Sequence, residues 1–225
     1  NALHALQADL AVVMSFGQII PQRILELFPL GVINVHPSLL PKYRGATPIN
    51  AAIANGDKET GIAIMKMDAL MDHGPIYAIE HVRIEPTDTT GTLSQRISHL
   101  SADLLVRTLR HAFVEKTLIP VEQEHGKAVL VSLLKREDGL LDWSKPATVL
   151  ERQIRAYDPW PGTYTLFQGK RLKIFSSTSG SASTNNTSGT TLAENGLPAV
   201  VCGDGTTLLL TRVQSEGGTP MDGAT

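Results

Sequence analysis

The stretch Gly31–Asn50, GVINVHPSLLPKYRGATPIN, decides the fold of the first half of this chain. Its apolar opening, interrupted by Asn34 and His36, predicts a β-strand, and the prolines and Gly45 that follow predict a loop. Side chains alternate between the two faces of a strand, so Asn34 and His36 point the same way. At the carboxyl end of a parallel strand they would face the crevice where open α/β sheets bind ligands.

The residues around this stretch predict a layered α/β domain. The continuously apolar run LAVVMSF at residues 10–16 is typical of a buried parallel strand, and Pro21 opens a short helix over residues 21–28. With the strand at residues 31–36 they form a βαβ unit of a Rossmann-like, doubly wound sheet. Further periodicity predicts strands over residues 61–67 and 76–84 and helices over residues 48–55 and 92–113.

The second half of the chain changes pattern after a connector. Periodicity weakens over Glu115–Leu134, as in a linker or an extended segment, and a helix capped by Ser144, with Pro146 in its first turn, follows. A stiff turn, DPWPG, occupies residues 158–162. Short strands at residues 163–167, 171–176, 198–202 and 206–213 predict a small antiparallel barrel. The Ser-, Thr- and Asn-rich stretch at residues 176–191 predicts a flexible loop inside it.

Composition limits the possible functions more loosely. The 225 residues are 42% hydrophobic, enough for a sizeable core, and their net charge of −2 gives no overall attraction to nucleic acid. Cys202 is the single cysteine, no apolar run is long enough to span a bilayer, and the first residues lack a signal-peptide pattern. Residues 145–175 carry six basic residues against two acidic ones, a local balance of +4, which indicates a solvated face or an RNA-binding surface. The six are Lys145, Arg152, Arg155, Lys170, Arg171 and Lys173.

A carboxylate completes a candidate catalytic group with Asn34 and His36. Asp72 follows the apolar run TGIAIMKMD and lies in a turn-forming segment, LMDHGPI. These three groups suit acyl transfer without a metal. The amide can hold a carbonyl oxygen, the imidazole can stabilise charge or carry a proton, and the carboxylate can orient the imidazole. A polar pair on a strand is, however, more often structural than catalytic. The remaining histidines have no ligand spacing, so no metal site is predicted.

The exact sequences of the two segments favour a catalytic over a structural role for these residues. The sequences NVHPSLLPKYRGATPI and TGIAIMKMDALMDHGPI resemble the 10-formyltetrahydrofolate-dependent formyltransferases, whose shared signature is the Asn-x-His, the SLLP loop and the later Asp. The resemblance implies that Asn34 hydrogen-bonds the formyl oxygen, that His36 stabilises it and helps to move a proton, and that Asp72 holds or ionises His36. It also implies that the folate co-substrate is lined by Ser38, Leu39, Leu40 and Pro41.

Two further segments resemble the methionyl-tRNA branch of that family. One is RGATPI at residues 44–49, and the other is the block from KREDGLLDW to DPWPG at residues 135–162. The resemblance implies formyl transfer to the α-amino group of methionyl initiator tRNA, with an OB-like second domain whose six basic residues contact the tRNA. The implied domains are a catalytic domain at residues 1–115, a linker at 116–134 and the OB-like domain at 135–225.

Other properties follow from the resemblance as expectations. The chain begins inside the sheet pattern, so we expect it to be a fragment that lacks upstream strands and part of the folate pocket. We also expect a monomer without membrane contact, located in the bacterial cytoplasm or in an organellar matrix. Three alternatives stay open: a sugar-nucleotide formyltransferase, a 10-formyltetrahydrofolate hydrolase or dehydrogenase domain, and a non-catalytic RNA-binding module.

Overall fold

The computed structural model describes residues 2–224, which form two compact units. The first unit comprises the residues up to Ala51, together with Lys58–Glu85 and Leu93–Leu133. The second comprises Ala52–Asp57, Pro86–Thr92 and the residues from Leu134 onward. Among the helices of residues 2–224, none combines the length and the apolar character needed to cross a bilayer.

A four-stranded mixed sheet organises the first unit. The elements up to residue 131 are α1 (Ala2–Ala5), β1 (Ala11–Met14), α2 (Gln22–Leu25), β2 (Val32–His36), β3 (Arg44–Gly45), α3 (Pro48–Asn55), β4 (Glu59–Lys66), β5 (Ile76–Arg83), α4 (Thr90–Leu109) with a π turn (Arg110–Val114), a 3-10 turn (His125–Lys127) and β6 (Leu130–Val131). The strand order is β1-β2-β4-β5, with β1 and β2 parallel and the other pairs antiparallel. The α/β class is therefore as predicted, although parallel pairing within this sheet is confined to β1 and β2.

Strand β2 lies at the centre of this sheet and is buried along its whole length. It pairs with β1 through Val13 and Asn34, and with β4 through His36 and Ala63. The apolar side of β4 is equally buried, with Ile62 and Ile64 fully removed from solvent. The two polar residues of β2 are thus fixed on a rigid, central strand rather than on a mobile segment.

Strand β1 is an edge strand, and the prediction of a fully buried strand is wrong. Val12 and Met14 are 45% and 44% exposed, whereas Ala11 and Val13 pack on the cluster around Phe28. The reason is that, among the described residues, side chains pack on one face of β1 and leave alternate residues exposed on the other.

An antiparallel sheet and one helix form the core of the second unit. Its elements beyond residue 134 are a 3-10 turn (Arg136–Gly139), α5 (Ala147–Ala156), β7 (Thr163–Phe167), β8 (Lys170–Ser183), β9 (Thr191–Glu194), β10 (Leu197–Val201), β11 (Thr206–Ser215) and β12 (Met221–Asp222). Leu150 and Ile154 of α5 pack with Ile174, Leu208 and Val200 of the sheet. Pro146, not Ser144, occupies the N-cap of α5.

This sheet is open, so the prediction of a small antiparallel barrel needs correction. The strand order runs β7-β8-β11-β10-β9, with β12 added on β11. Closure of a barrel requires its two end strands to pair. Within the described residues β7 pairs with β8 and β9 with β10, and the ends do not meet.

The predicted flexible loop at residues 176–191 is also partly wrong, because β8 continues as far as Ser183. Ser177 and Thr178 pair with Leu210 and Leu209 of β11. Small residues suit this pairing: a side chain at Gly180 would place its Cβ 2.1 Å from the hydroxyl of Thr207. Residues 176–183 include a single threonine among mostly serines, so pairing with β11 rather than strand propensity accounts for this part of β8.

Candidate active site

The three polar residues singled out in the sequence meet at the end of β2. Asn34 and His36 are 9% and 4% exposed, and the side chain of Asp72 reaches them from the loop after β4. Nδ2 of Asn34 donates to Oδ1 of Asp72 at 3.1 Å, and Oδ2 of Asp72 lies 3.6 Å from Nδ1 of His36. The fold therefore brings together Asn34 and Asp72, which are 38 residues apart in the sequence.

The loop that carries Asp72 is held in an unusual backbone conformation. Asp72 itself has φ +47°, in the left-handed region that non-glycine residues rarely adopt. Two residues later the chain passes so close to β4 that a Cβ at Gly74 would lie 2.0 Å from the carbonyl oxygen of Lys66. The amide of Gly45 donates to Oδ2 of Asp72 at 2.7 Å and fixes the carboxylate from the other side.

Hydrogen bonding fixes the tautomer of His36. Its Nε2 lies 2.9 Å from the carbonyl oxygen of Tyr43, which can only accept, so Nε2 carries the hydrogen and donates. In the neutral ring Nδ1 then has the lone pair, and it faces Asp72. Burial lowers the pKa of His36 below its ordinary value, while the Asp72 carboxylate and the Tyr43 carbonyl oppose part of that shift.

This arrangement can accept a proton and stabilise negative charge on a carbonyl oxygen. Nδ1 of His36 can take up a proton, and the adjacent Asp72 carboxylate stabilises the imidazolium that results. An amide nitrogen has two N–H groups, so Asn34 can donate to a substrate oxygen while it also donates to Asp72. Both functions are those required for attack of a nucleophile on an acyl carbon.

A cavity of about 330 Å³ opens directly over these residues. Asn34, His36 and Asp72 form its polar side together with Gly45 and Asp68. Its apolar lining comes from the end of β1, the loop after it, the loop before Asp72 and the segment after β6: Val13, Phe16, Ile19, Ile20, Met67, Leu70, Met71 and Leu133. A cavity of this size, mostly apolar with a few convergent polar groups, is typical of small-molecule sites.

The residues after β1 that line the cavity were not singled out in the sequence. Ser15, Phe16 and Gln18 lie on an irregular loop, and no periodicity distinguishes a loop that binds a ligand from one that does not. The available signal was positional, because this loop follows the carboxyl end of the parallel strand beside β2.

The loop residues predicted to line the folate are turned away from this cavity. Ser38 is completely buried and donates to the carbonyl oxygen of Lys42 at 2.6 Å, and Leu40 packs on Ala63 and Met65 of β4. Of the described residues, Pro37 borders the cavity but Ser38, Leu39, Leu40 and Pro41 do not. The SLLP loop thus supports the site from behind, since it sets the carbonyl of Tyr43 against His36.

The six basic residues divide into two groups in the second unit. Lys145, Lys170, Arg171 and Lys173 are exposed. Arg155 instead forms an ion pair with Glu151 and donates to the carbonyl oxygen of Asp88, and Nε of Arg152 is buried. Four of the six are therefore presented to solvent, and two are engaged in the structure of their own unit.

A second cavity of about 330 Å³ lies beside this basic strand. Arg136, Arg171 and Lys173 border it together with aromatic rings. The guanidinium of Arg171 lies 3.9 Å above the ring of Tyr164, and that of Arg136 lies 5.9 Å from the exposed ring of Trp160. Cations and exposed aromatic faces together are the usual components of single-stranded nucleic acid sites. Arg136 was not singled out in the sequence.

No group of three or more His, Cys, Asp or Glu side chains within residues 2–224 is arranged to hold a metal ion. The pair formed by His73 and Asp68, 2.7 Å apart, lies at the rim of the first cavity, and the His73 ring stacks on His125 at 3.9 Å.

Comparison with solved structures identifies the same fold in proteins of low sequence identity. HypX from Aquifex aeolicus, solved in complex with tetrahydrofolic acid, matches with a TM-score of 0.72 at 17% identity and covers 96% of this chain and 38% of its own. WlaRD, a sugar 3N-formyl transferase solved in the presence of dTDP and 5-N-formyl-THF, matches with a TM-score of 0.72 at 18% identity, over 96% and 77% of the two chains.

Sequence comparison gives much closer relatives. A methionyl-tRNA formyltransferase from Roseiflexus sp. is 43% identical over 223 residues, which are 99% of this chain and 68% of that protein. Enzymes of the same name from Chloroflexus aggregans and Treponema pallidum are each 44% identical and are covered to 72% and 70% of their lengths.

Family models agree with both comparisons. The model described as "Formyl transferase" matches residues 1–109, and the one described as "Formyl transferase, C-terminal domain" matches residues 133–225. Together they span most of the 225 residues. The chain therefore belongs to the formyl transferase family and, within it, to the methionyl-tRNA formyltransferases.

Proposed function

We propose that this protein transfers the formyl group of 10-formyltetrahydrofolate to the α-amino group of methionyl initiator tRNA. The observation that carries the proposal is the convergence of Asn34, His36 and Asp72 on one cavity. The relatives at 42–44% identity, which are named methionyl-tRNA formyltransferases, support the same acceptor.

The chemistry assigns one role to each of the three residues. The neutral amine attacks the formyl carbon, and Asn34 donates a hydrogen bond to the oxygen on which negative charge develops. Nδ1 of His36 accepts the proton released by the amine, and Asp72 stabilises the imidazolium. As the new C–N bond forms and the bond from the formyl carbon to folate N10 breaks, His36 returns a proton to N10.

We propose that the first cavity binds the folate. Its apolar residues, which include Phe16, Ile19 and Leu70, suit the face of a flat heteroaromatic ring, and Asn34 and His36 on its polar side suit the formyl group. We propose that the loop after β1 provides these contacts. Ser38–Pro41 then act indirectly, because they hold the backbone that orients His36.

The exposed basic face of the second unit is proposed to contact the tRNA backbone. Lys170, Arg171 and Lys173 lie close together on β8, and Arg136 and Trp160 border the adjoining cavity. Cationic side chains neutralise phosphates, and an exposed tryptophan can stack on an unpaired base. Lys145 is a further exposed candidate, whereas Arg152 and Arg155 contribute through the packing of α5.

The choice of acceptor is tested with the natural, full-length polypeptide. Labelled 10-formyltetrahydrofolate is incubated separately with methionyl initiator tRNA, with an amino-sugar nucleotide and with buffer alone. We expect label to be transferred to the methionyl-tRNA and formate to be released only slowly in buffer. Label on the amino sugar, or rapid formate release independent of acceptor, would contradict the proposed acceptor.

A further inference from the structure

The connector between the two predicted domains is fastened to the active-site loops of the first unit. Residues 121 and 76 exchange two backbone hydrogen bonds of 2.8 Å, which fix Val121 beside the end of the Asp72 loop. Further along, β6 pairs in parallel with β3, and the amide of Arg44 donates to the carbonyl of Val129 at 2.8 Å. The segment predicted to be a linker or an extended connector is therefore bound to the first unit at several points.

Gln123 lies between these two attachments and is 6% exposed. Its Nε2 donates to the carbonyl oxygens of Asp72 and Gly74, at 3.0 and 2.7 Å. Its Oε1 accepts from Nε and Nη2 of Arg44, at 3.2 and 2.7 Å. Both donors and both lone pairs of the carboxamide are thus used, which fixes its orientation.

Arg44 anchors this carboxamide from the side of the SLLP loop. Its side chain is 6% exposed, and its Nη2 also donates to Nδ1 of His125 at 2.9 Å. A guanidinium only donates, so it forces the oxygen of Gln123 towards itself and the NH₂ group towards the Asp72 loop. The neighbouring residue, Gly45, donates its amide directly to the Asp72 carboxylate.

We infer that Gln123 is a positioning residue for formyl transfer, because it holds the backbone of Asp72 where the carboxylate meets Asn34 and His36. The inference rests on the proposed function. Asp72 has φ +47°, a conformation that a non-glycine residue keeps only where its surroundings hold it. Gln123 binds the carbonyl of Asp72 itself and that of Gly74, so it fixes the loop at its turning point.

The sharpest test replaces the two donors without changing shape. Gln123→Glu keeps an acceptor for Arg44 but sets a carboxylate oxygen against two carbonyl oxygens. We expect the single-turnover rate constant for transfer to methionyl-tRNA to fall by about tenfold to a hundredfold, as small misplacements of catalytic groups do. Dissociation constants for folate and tRNA stay unchanged, because Gln123 borders neither proposed ligand surface.

This measurement separates positioning from simple stability. Loss of folded protein lowers the amplitude of a single turnover, whereas misplacement of Asp72 lowers its rate constant. Gln123→Met, which has similar length and no hydrogen-bonding carboxamide, should lower the rate constant in the same way if the glutamate variant folds poorly. Gln95→Glu, the same chemical change at an exposed position of α4, is the matched control and should leave the rate constant at the wild-type value.

A double-mutant cycle with Asp72→Asn tests whether Gln123 affects the rate constant through Asp72. If Gln123 acts through Asp72, Gln123→Glu in the Asp72→Asn background changes the rate constant by less than about threefold, because residues acting as a unit are not additive. Full additivity, or a wild-type rate constant for both Gln123 variants while Asp72→Asn is slow, overturns the inference alone. A wild-type rate constant for Asp72→Asn itself overturns the catalytic assignment on which it rests.

Discussion

At the scale of single residues, His36 combines a lowered pKa with a nearby counter-charge. Its burial at 4% exposure favours the neutral ring, and Asp72 at 3.6 Å favours the protonated ring, which the proposed mechanism forms when the amine releases a proton. The two effects oppose each other. Together they allow one imidazole to be unprotonated at the start of the reaction and still accept a proton during it.

The pH dependence of transfer follows from this balance. The attacking amine must be neutral, and an α-amino group has a pKa of about 7.7–8.0, so kcat/KM should begin to fall with the amine. Because burial lowers the pKa of His36, its base form persists below the ordinary value of 6.5, and the second acidic limb, that of His36, should steepen the fall only below that pH. Asp72→Asn removes the contribution that raises the pKa, so the His36 limb should move to still lower pH while the maximal rate falls. The profile of kcat/KM between about pH 5 and 8 checks both expectations. A His36 limb that stays in place or moves to higher pH in the variant would contradict this account.

Single residues also show how far sequence reasoning reaches. Asn34 and His36 could be paired from strand alternation, and Asp72 from its position after an apolar run, because these patterns are local. Gln123 lies in a segment of weak periodicity and acquires its importance only from partners 49 to 79 residues away. A local sequence pattern cannot predict contacts between residues so far apart in the chain.

At the scale of secondary structure elements, the short pair β3 and β6 fixes the shape of the site. Gly45 has φ +112°, and a Cβ there would lie 2.1 Å from the carbonyl oxygen of Val131. The same residue donates its amide to Asp72. The strand pair and the position of the Asp72 carboxylate therefore depend on one glycine.

Gly45→Ala should weaken both stability and transfer. The clash with Val131 and the unfavourable φ should cost about 1–3 kcal/mol in the free energy of unfolding, and displacement of the Gly45 amide should slow transfer. Denaturant unfolding and single-turnover kinetics measure the two effects. Gly217→Ala is the control, since Gly217 has φ +75° but no atom within 4 Å of an added Cβ. Equal losses of stability in the two variants would show that the contact with Val131 is unimportant.

Elements with clear periodicity were predicted well, and elements that depend on neighbours were not. Helix α3 has the predicted bounds, and β2, β4 and β5 lie within two residues of theirs. The exposure of β1 depends on what packs on each face of its sheet, and the length of β8 depends on its pairing with β11. Pairing between distant strands is a tertiary effect that composition does not record.

At the scale of the whole molecule, the two units present different chemistry. The first has the cavity with Asn34, His36 and Asp72, and the second has the exposed basic residues of β8. The net charge of −2 does not indicate the basic residues of β8, because their positive charge is local. This division is consistent with a substrate that is small at its reacting end and highly charged elsewhere.

Binding of tRNA should therefore depend on salt through the second unit. Replacing Lys170, Arg171 and Lys173 by alanine should weaken tRNA binding and reduce the slope of log affinity against log salt by about two to three, if each contacts one phosphate. The single-turnover rate constant at saturating tRNA should not change. A matched triple variant of Arg83, Arg107 and Arg110, exposed basic residues of the first unit, should leave the slope as it is. An unchanged slope in the β8 variant would remove that strand from the tRNA surface.

We propose that His36, between Asn34 and Asp72, carries the proton transfer in formylation of methionyl-tRNA. The most direct measurement is the single-turnover rate constant of the natural, full-length polypeptide with His36→Ala, at saturating 10-formyltetrahydrofolate and methionyl initiator tRNA. His99→Ala, on the exposed side of α4, is the control and should behave as wild type. We predict that His36→Ala lowers the rate constant by about a hundredfold or more, as expected when a positioned proton-transfer group is removed. Transfer within about twofold of wild type, in a folded variant that binds both substrates, would contradict the account.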